Sequence, residues 1–309
     1  MRGTFIRTLA EIAEHDPRVH LLTGDLGYMA LEPFSERFPD RFFNMGVAEQ
    51  NMVGVATGLA EAGLVPFVYS IVTFATLRPY ELIRNGAILH QFPIRIVGVG
   101  GGLEYGTNGP SHYGIEDVGV MRVQPGMTVI VPADRDQART ALLSTWDLPG
   151  PVYYRIGKDE KTAIPGLDGR FVLGRVQCIG HGNDFLIVTM GNVAREAVEA
   201  AALLSERGVD CTVAVVSCVN PAPEDDLASI LARFATVMTV EAHYITGGVG
   251  SLVSEIIAER GLHCRLVRRG LRSTPNGITG SRDYMHQLYG LSRDALVEAA
   301  LHEYKASVV

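Results

Sequence analysis

Short runs of β-branched and aliphatic residues alternate with longer helical patterns along almost the whole chain, and this alternation limits the possible folds more than any other feature. Strands that are buried on both faces read as mostly apolar runs, as VPFVYSI and IRIVGVG do here. The pattern therefore predicts parallel sheets that are covered by helices on both faces. The strand-like runs are residues 19–24, 42–46, 65–71, 94–100, 128–133, 152–157, 185–191, 211–217, 236–242 and 264–270.

The alternation is interrupted at residues 158–183, where charged residues, proline and glycine replace the apolar runs. Such a stretch is typical of a domain boundary. We predict a doubly wound α/β domain over residues 1–160, a linker over 161–183 and a second, smaller doubly wound α/β domain over 184–309. A length of 309 residues suits two domains, and 47% hydrophobic residues is enough to build two cores.

The composition argues against several classes of partner. A net charge of -7 and a pI near 5.7 disfavour nucleic acid and anionic membrane surfaces. The four cysteines form no C-x-x-C pair and have no histidine cluster beside them, which predicts reduced thiols rather than zinc ligands or disulfides. The N-terminal segment predicts an amphipathic helix rather than a signal peptide, and no apolar run reaches about 20 residues. These features predict a cytoplasmic protein.

Two glycine-rich segments resemble dinucleotide-binding loops but do not complete the G-x-G-x-x-G motif. The frame that starts at Gly98 has Leu103 at its last position, and the frame that starts at Gly248 has Val253 there. No P-loop pattern occurs either. The sequence therefore gives no support for a nucleotide-binding enzyme.

The segment NMGVAEQNMVGVATGLAEAG, residues 44–63, places Glu49 at the start of a helix that is apolar nearly all round. Such a helix is expected to be buried. A desolvated carboxyl group must be paired, or it becomes chemically useful. A structural role, in which Glu49 only interacts with the helix dipole or completes a cap, is the alternative.

The segment around Glu49 resembles the one that presents the cofactor-activating glutamate in transketolases, deoxyxylulose-phosphate synthases and the beta subunits of 2-oxoacid dehydrogenases. Three further segments resemble transketolases, and the similarity runs in order and with matching spacing from about residue 1 to 301. The resemblance implies a thiamine-diphosphate pyrimidine-binding domain followed by a transketolase-type C-terminal domain. The three segments are YSIVTFATLRPYELIRN (69–85), NGPSHYGIEDVGVMRVQPGMTVIVPADRDQA (108–138) and TVEAHYITGGVGSLVSEII (239–257).

The resemblance implies a cofactor-binding role for Asp25, Glu49, Ile71 and Phe74. Glu49 would hydrogen-bond the pyrimidine ring nitrogen of thiamine diphosphate and provide acid–base catalysis relayed through the cofactor. Phe74 would stack on the pyrimidine ring, and Ile71 would line the same pocket. Asp25 would lie near the cofactor. The structural alternatives are a core aromatic for Phe74 and a turn or cap residue for Asp25.

The resemblance also implies substrate contacts. His112, on the Gly/Pro-rich loop Gly109-Pro110-Ser111-His112, would be catalytic and would hydrogen-bond the substrate during carbon–carbon cleavage. Asn108 would read an acceptor hydroxyl, while Arg2 and Arg155 would bind a substrate phosphate.

Several positions depart from the pattern of a pentose-phosphate transketolase. Gly100 stands where a phosphate-binding histidine is usual, Met29 where a serine is usual, Asn108 where an aspartate is usual and Leu77 where a further aromatic is common. The cofactor-activating residues are kept and the substrate pocket is altered. The departures therefore favour a non-standard substrate.

No G-D-G segment occurs in the chain, and Gly24-Asp25-Leu26 is the nearest string. Thiamine-diphosphate enzymes hold the diphosphate through Mg²⁺, which takes oxygen ligands from such a segment and from a downstream asparagine. The resemblance thus implies that this chain supplies no metal ligand. A separate N-terminal transketolase subunit would supply the Mg²⁺ and diphosphate site, in an α2β2 heterotetramer.

The predicted activity is transfer of a two-carbon ketol unit from a ketose donor to an aldehyde acceptor, by one subunit of a split transketolase. A beta subunit of an acyl-transferring 2-oxoacid dehydrogenase is one alternative, and a 1-deoxyxylulose-5-phosphate synthase-like enzyme is another. A non-enzymatic scaffold that only binds a partner is the third.

Overall fold

A computed structural model describes residues 1–308, with side chains described up to residue 306, and contains two sheets that carry helices on both faces. The strands are β1 (Val19–Thr23), β2 (Phe42–Asn44), β3 (Val65–Ile71), β4 (Arg95–Val99), β5 (Thr128–Ile130), β6 (Val152–Ile156), β7 (Gln177–Ile179), β8 (Phe185–Thr189), β9 (Cys211–Val215), β10 (Cys218–Asn220), β11 (Thr236–Tyr244) and β12 (Arg265–Leu271). The helices are α1 (Arg2–His15), α2 (Glu32–Ser35), α3 (Glu49–Glu61), α4 (Val72–Thr76), α5 (Tyr80–Leu82), α6 (Asp117–Arg122), α7 (Arg135–Thr145), α8 (Ala194–Ser205), α9 (Glu224–Leu231), α10 (Val249–Glu259), α11 (Arg282–Leu288) and α12 (Arg293–Val308).

The first sheet has seven strands in the order β10-β5-β6-β4-β3-β1-β2. Strands β1 to β6 are parallel, and only β10 is antiparallel to its neighbour. Every residue of β4 and β6 is buried, as expected for strands that are covered on both faces, and each strand contains one buried arginine, Arg95 and Arg155. Because the carboxyl ends of parallel strands meet at one edge, the segments that follow β1, β3 and β4 lie together.

The second sheet has five strands in the order β12-β11-β8-β9-β7, parallel except for β7. These two sheets confirm the prediction of two doubly wound α/β units. Strand β7 lies inside residues 161–183, the predicted linker, and pairs with β9. Part of that segment therefore belongs to the second sheet, and the limits of the two domains stay a prediction. Among residues 1–308, no helix is both long enough and apolar enough to cross a membrane.

A buried arginine of the first domain, Arg155, forms an ion pair within that domain and also bonds to the second half of the chain. Arg155 Nε lies 2.9 Å from Asp117 Oδ2, and the two side chains are only 2% and 1% exposed. The Arg155 Nη2 group also donates to the carbonyl oxygens of Gly114 at 2.7 Å and of Ala242, in β11, at 2.9 Å. Tyr153 donates to the same Asp117 oxygen at 2.6 Å. The Arg155 guanidinium is thus buried, with Nε and Nη2 bonded inside the protein, and this geometry does not support the phosphate contact predicted for it.

Candidate active site

Glu49 is the first residue of α3 and is buried at the carboxyl edge of the first sheet, with 2% of its surface exposed. The end of β1 lies against it, since a side chain at Gly24 would come within 3.1 Å of Glu49 Oε1. Ser70, in β3, donates its hydroxyl to Oε1 at 3.1 Å. Arg78 Nη1 lies 2.9 Å from Oε2. The carboxylate therefore has one neutral donor from the core and one cation from the solvent side.

An aromatic pair lies beside this carboxylate. Phe74 is in α4, directly after β3, and its ring centroid is 5.2 Å from that of His112 in an edge-on arrangement. The Arg78 guanidinium lies over the Phe74 ring, 4.0 Å from its centroid. Ile71, at the end of β3, is partly buried at the start of the same helix. The fold thus places Glu49, Ile71 and Phe74 at the same edge of the sheet, and a shared cofactor-binding role for them stays a prediction.

His112 is partly buried at the end of a 3-10 turn over Pro110–His112. Its Nδ1 atom is 3.0 Å from the hydroxyl oxygen of Ser111, and Thr73 Oγ1 donates to the Ser111 carbonyl at 3.3 Å. Gly109 makes the turn possible with φ of 86°, in the left-handed region that favours glycine. Asn108 is exposed just before this turn. The loop therefore holds the imidazole at the edge of the Phe74 ring.

Asp25 lies on the exposed rim, in the left-handed conformation with φ of 56°. Its carboxylate accepts hydrogen bonds from Asn44 Nδ2 at 2.9 Å and from Tyr28 at 3.1 Å. The Asn44 hydrogen bond lowers the pKa of Asp25, so the group stays ionised. Met29 is almost fully exposed nearby. Among the described residues, Asp25 thus bonds within the β1–α2 turn and to Asn44, and forms no hydrogen bond with Glu49.

Gly100, at the end of β4, faces the ring of Tyr105. The backbone at Gly100 has φ of +79°, and a β-carbon there would overlap the Tyr105 ring. The Tyr105 ring lies 6.0 Å from that of His112, centroid to centroid, and 4.0 Å from the Lys158 ammonium. The Tyr105 ring therefore fills the space that a side chain at position 100 would occupy.

Two cations lie beside Tyr105. The Lys158 backbone N–H donates to Glu104 Oε2 at 2.7 Å. Burial lowers the pKa of Lys158, Glu104 opposes that effect, and Arg2 lowers the pKa further. Arg2 forms no ion pair with any carboxylate in residues 1–306. Glu104 and Lys158 line an open cleft, and the Tyr105 ring beside them lies next to the His112 ring. The cluster of Arg2, Glu104, Tyr105 and Lys158 is called here the cleft wall.

Sequence reasoning did not identify Arg78, Tyr105 or Lys158. Arg78 follows Phe74 by four residues. Because residues at this spacing lie on one face of a helix, the Phe74–Arg78 contact could have been predicted from the sequence. Nothing in the sequence marks Tyr105 as the residue that fills the space at Gly100. Lys158 lies three residues after Arg155, and only the structure distinguishes the buried arginine from the lysine at the cleft.

The donor set fits the pyrimidine end of thiamine diphosphate. A buried carboxylate and an aromatic face are what a flat, hydrogen-bonding ring needs, and Arg78 presents a flat cation to both. Within residues 1–306, no group of three or more His, Cys, Asp or Glu side chains is arranged to hold a metal ion.

Comparison with family models identifies both domains. Residues 1–162 match the transketolase pyrimidine binding domain, and residues 174–296 match the transketolase C-terminal domain. The chain therefore belongs to the transketolase family, with the two domain types that the resemblance implied.

Individual relatives align over nearly their whole length. The chain is 34% identical over 271 residues, 88% of this chain and 87% of the relative, to an apulose-4-phosphate transketolase subunit of Actinobacillus succinogenes. It is 34% identical over 98% of this chain and 94% of the relative to a 6-deoxy-6-sulfo-D-fructose transketolase subunit of Clostridium sp. strain MSTE9. A solved split gene transketolase, described as an inactive beta4 tetramer, is 32% identical with a TM-score of 0.87, and the match covers 99% of this chain and 98% of that one.

Proposed function

We propose that the chain is one subunit of a two-chain transketolase that transfers a two-carbon ketol unit from a ketose to an aldehyde. The observation that carries this proposal is the buried Glu49 carboxylate facing a flat cation over Phe74, with His112 at the edge of the ring. Relatives that align end to end are themselves transketolase subunits, which supports a chain of this size acting with a partner.

Each side chain of the site has a defined task. Glu49 holds a proton at the pyrimidine ring nitrogen, Phe74 provides the stacking face, and Ile71 closes the side of the pocket. When bound, thiamine diphosphate supplies the electron sink for carbon–carbon cleavage. His112 hydrogen-bonds the substrate hydroxyl and moves its proton, and Ser111 orients the imidazole at 3.0 Å.

The diphosphate and Mg²⁺ would be held by the partner chain, because this sequence contains no G-D-G segment. A cofactor site between two chains requires a stable association, and an α2β2 assembly would place two such sites in one molecule. Exposed apolar side chains of the first domain offer a surface for that partner. They are Tyr28, Met29, Phe43, Val47, Val55 and Leu77.

We expect calorimetric titration with thiamine diphosphate and Mg²⁺ to detect no micromolar binding by the chain alone and clear binding once the partner is added. The reconstituted pair should then transfer ketol units in a panel of ketose donors and aldose acceptors. Pyruvate and a lipoyl acceptor in the same panel test the synthase and acyl-transfer alternatives. Tight cofactor binding and turnover by the single chain would contradict the proposal.

The cleft wall supports a substrate other than the common pentose phosphates. Arg2 and Lys158 present positive charge beside Tyr105, while Gly100 carries no side chain. Asn108 offers an amide in place of a carboxylate at the loop before His112. We therefore propose that Arg2 and Lys158 bind the anionic end of the substrate, and that Tyr105 and Asn108 select its hydroxyl pattern.

Lys158→Met should raise the KM for an anionic donor roughly ten- to a hundredfold, the range of one lost charge-assisted hydrogen bond. The effect on kcat should be small, because the charge lies away from the reacting bond. Lys161→Met is the matched control, since Lys161 is exposed three residues further on. Steady-state kinetics of the reconstituted enzyme provide the measurement. Equal KM values for the two variants would exclude Lys158 from the anion site.

A further inference from the structure

Glu49 and Phe74 form the place where the cofactor's pyrimidine ring is expected, called here the pyrimidine seat, and the Arg78 side chain occupies it. The Glu49 side chain is 1% exposed, whereas the Arg78 side chain is 44% exposed. Arg78 therefore reaches into the seat from outside. It satisfies Glu49 Oε2 at 2.9 Å and covers the Phe74 ring at 4.0 Å in the same pose.

A guanidinium and a protonated aminopyrimidine present similar chemistry to these two residues. Both are flat, both carry positive charge, and both offer in-plane N–H groups to a carboxylate while stacking on an aromatic face. Glu49 Oε1 accepts from Ser70, while Oε2 accepts from Arg78, whose guanidinium lies over the Phe74 ring. One oxygen and one ring face cannot serve both groups at the same time.

We propose that Arg78 is a built-in competitor, which fills the pyrimidine seat of the single chain and must swing out before the cofactor binds. The inference rests on the proposed function, because it takes Glu49 and Phe74 as the seat. A buried carboxylate without a partner is costly, so Arg78 stabilises the empty site until the cofactor replaces it.

The competitor is suited to displacement. Its ion pair is open to solvent on the arginine side, and such pairs are weak. A stacked cation over an aromatic ring adds a further modest attraction. Since the apparent dissociation constant scales inversely with the fraction of open sites, the closed arginine weakens cofactor binding without blocking it.

The first experiment is calorimetric titration of thiamine diphosphate with Mg²⁺ into the reconstituted two-chain protein. Arg78→Met should tighten cofactor binding about three- to tenfold, the range expected from losing one exposed ion pair and one cation–π contact. Arg84→Met is the matched control, because Arg84 is exposed on the following helical turn and bonds only to its neighbour Asn85 in the described chain. Its affinity should equal that of the wild type.

The second experiment needs no cofactor. In urea unfolding of the single chain, Arg78→Met should lower the midpoint relative to the wild type. In a chain that already carries Glu49→Gln, the same Arg78→Met substitution should change the midpoint much less. If the effects of Arg78→Met and Glu49→Gln on the midpoint are additive, the two side chains do not interact and the proposal is overturned.

The outcomes separate the two proposals. Equal affinities of the wild type and Arg78→Met for thiamine diphosphate would overturn the proposal that Arg78 competes with the cofactor. Weaker binding by Arg78→Met would also overturn it and would indicate that Arg78 is a cofactor ligand. If neither protein binds thiamine diphosphate with the partner present, the proposed function fails and this inference fails with it.

Discussion

Glu49→Gln should reduce the turnover of the reconstituted enzyme by about 10²–10⁴, the range of a lost general acid–base group. The amide keeps the shape of the side chain and its hydrogen bond with Ser70, so the fold should be preserved. It cannot hold an exchangeable proton at the pyrimidine nitrogen as a carboxyl does. Hydrogen–deuterium exchange at the thiazolium carbon measures the activation step directly and should slow in parallel with kcat.

Glu61→Gln is the matched control, since Glu61 ends the same helix and is exposed. It should leave both the exchange rate and kcat at the wild-type values. Near-normal exchange in Glu49→Gln would falsify the assignment of Glu49, even if kcat fell for another reason.

Arg155→Met should lower the free energy of unfolding by about 3–5 kcal/mol, because it leaves the buried Asp117 carboxylate without its cation. Two main-chain carbonyls, one in each half of the molecule, lose a donor as well. A loss of that size is a large part of the stability of a typical domain. Urea unfolding of the single chain is the measurement.

Arg175→Met is the control, because Arg175 is exposed and pairs with Asp226 at the surface. Its loss should stay within about 1 kcal/mol. Arg155→Lys keeps the charge and should fold even if Arg155→Met does not. If Arg155→Lys raises the KM for anionic donors and leaves unfolding unchanged, Arg155 binds substrate rather than joining the halves.

The sequence predicted the two sheets because mostly apolar strand-like runs such as β3 in the first sheet and β8 in the second alternate with helical patterns, and such strands are buried on both faces. It could not predict that β10, from the second half of the chain, adds to the edge of the first sheet. That strand has only three residues, and its partner is distant in sequence. Local periodicity carries no information about such a pairing.

The same contrast applies to the site. Glu49 and Phe74 could be placed because local patterns and the family resemblance mark them. Arg155 could not be placed, because burial of its side chain depends on Asp117 and on a carbonyl of β11. Tyr105 could not be identified as the occupant of the space at Gly100, because that contact depends on the path of a loop and not on any spacing.

The overlap between position 100 and the Tyr105 ring makes these two residues interdependent in evolution and in engineering. A histidine introduced at position 100 alone would have a left-handed backbone conformation and would overlap the Tyr105 ring, so we expect it to destabilise the fold. A smaller residue introduced at position 105 alone leaves a gap in the cleft wall beside Lys158. We therefore expect positions 100 and 105 to tolerate change only together. Replacing these two residues with those of a relative therefore requires both substitutions together.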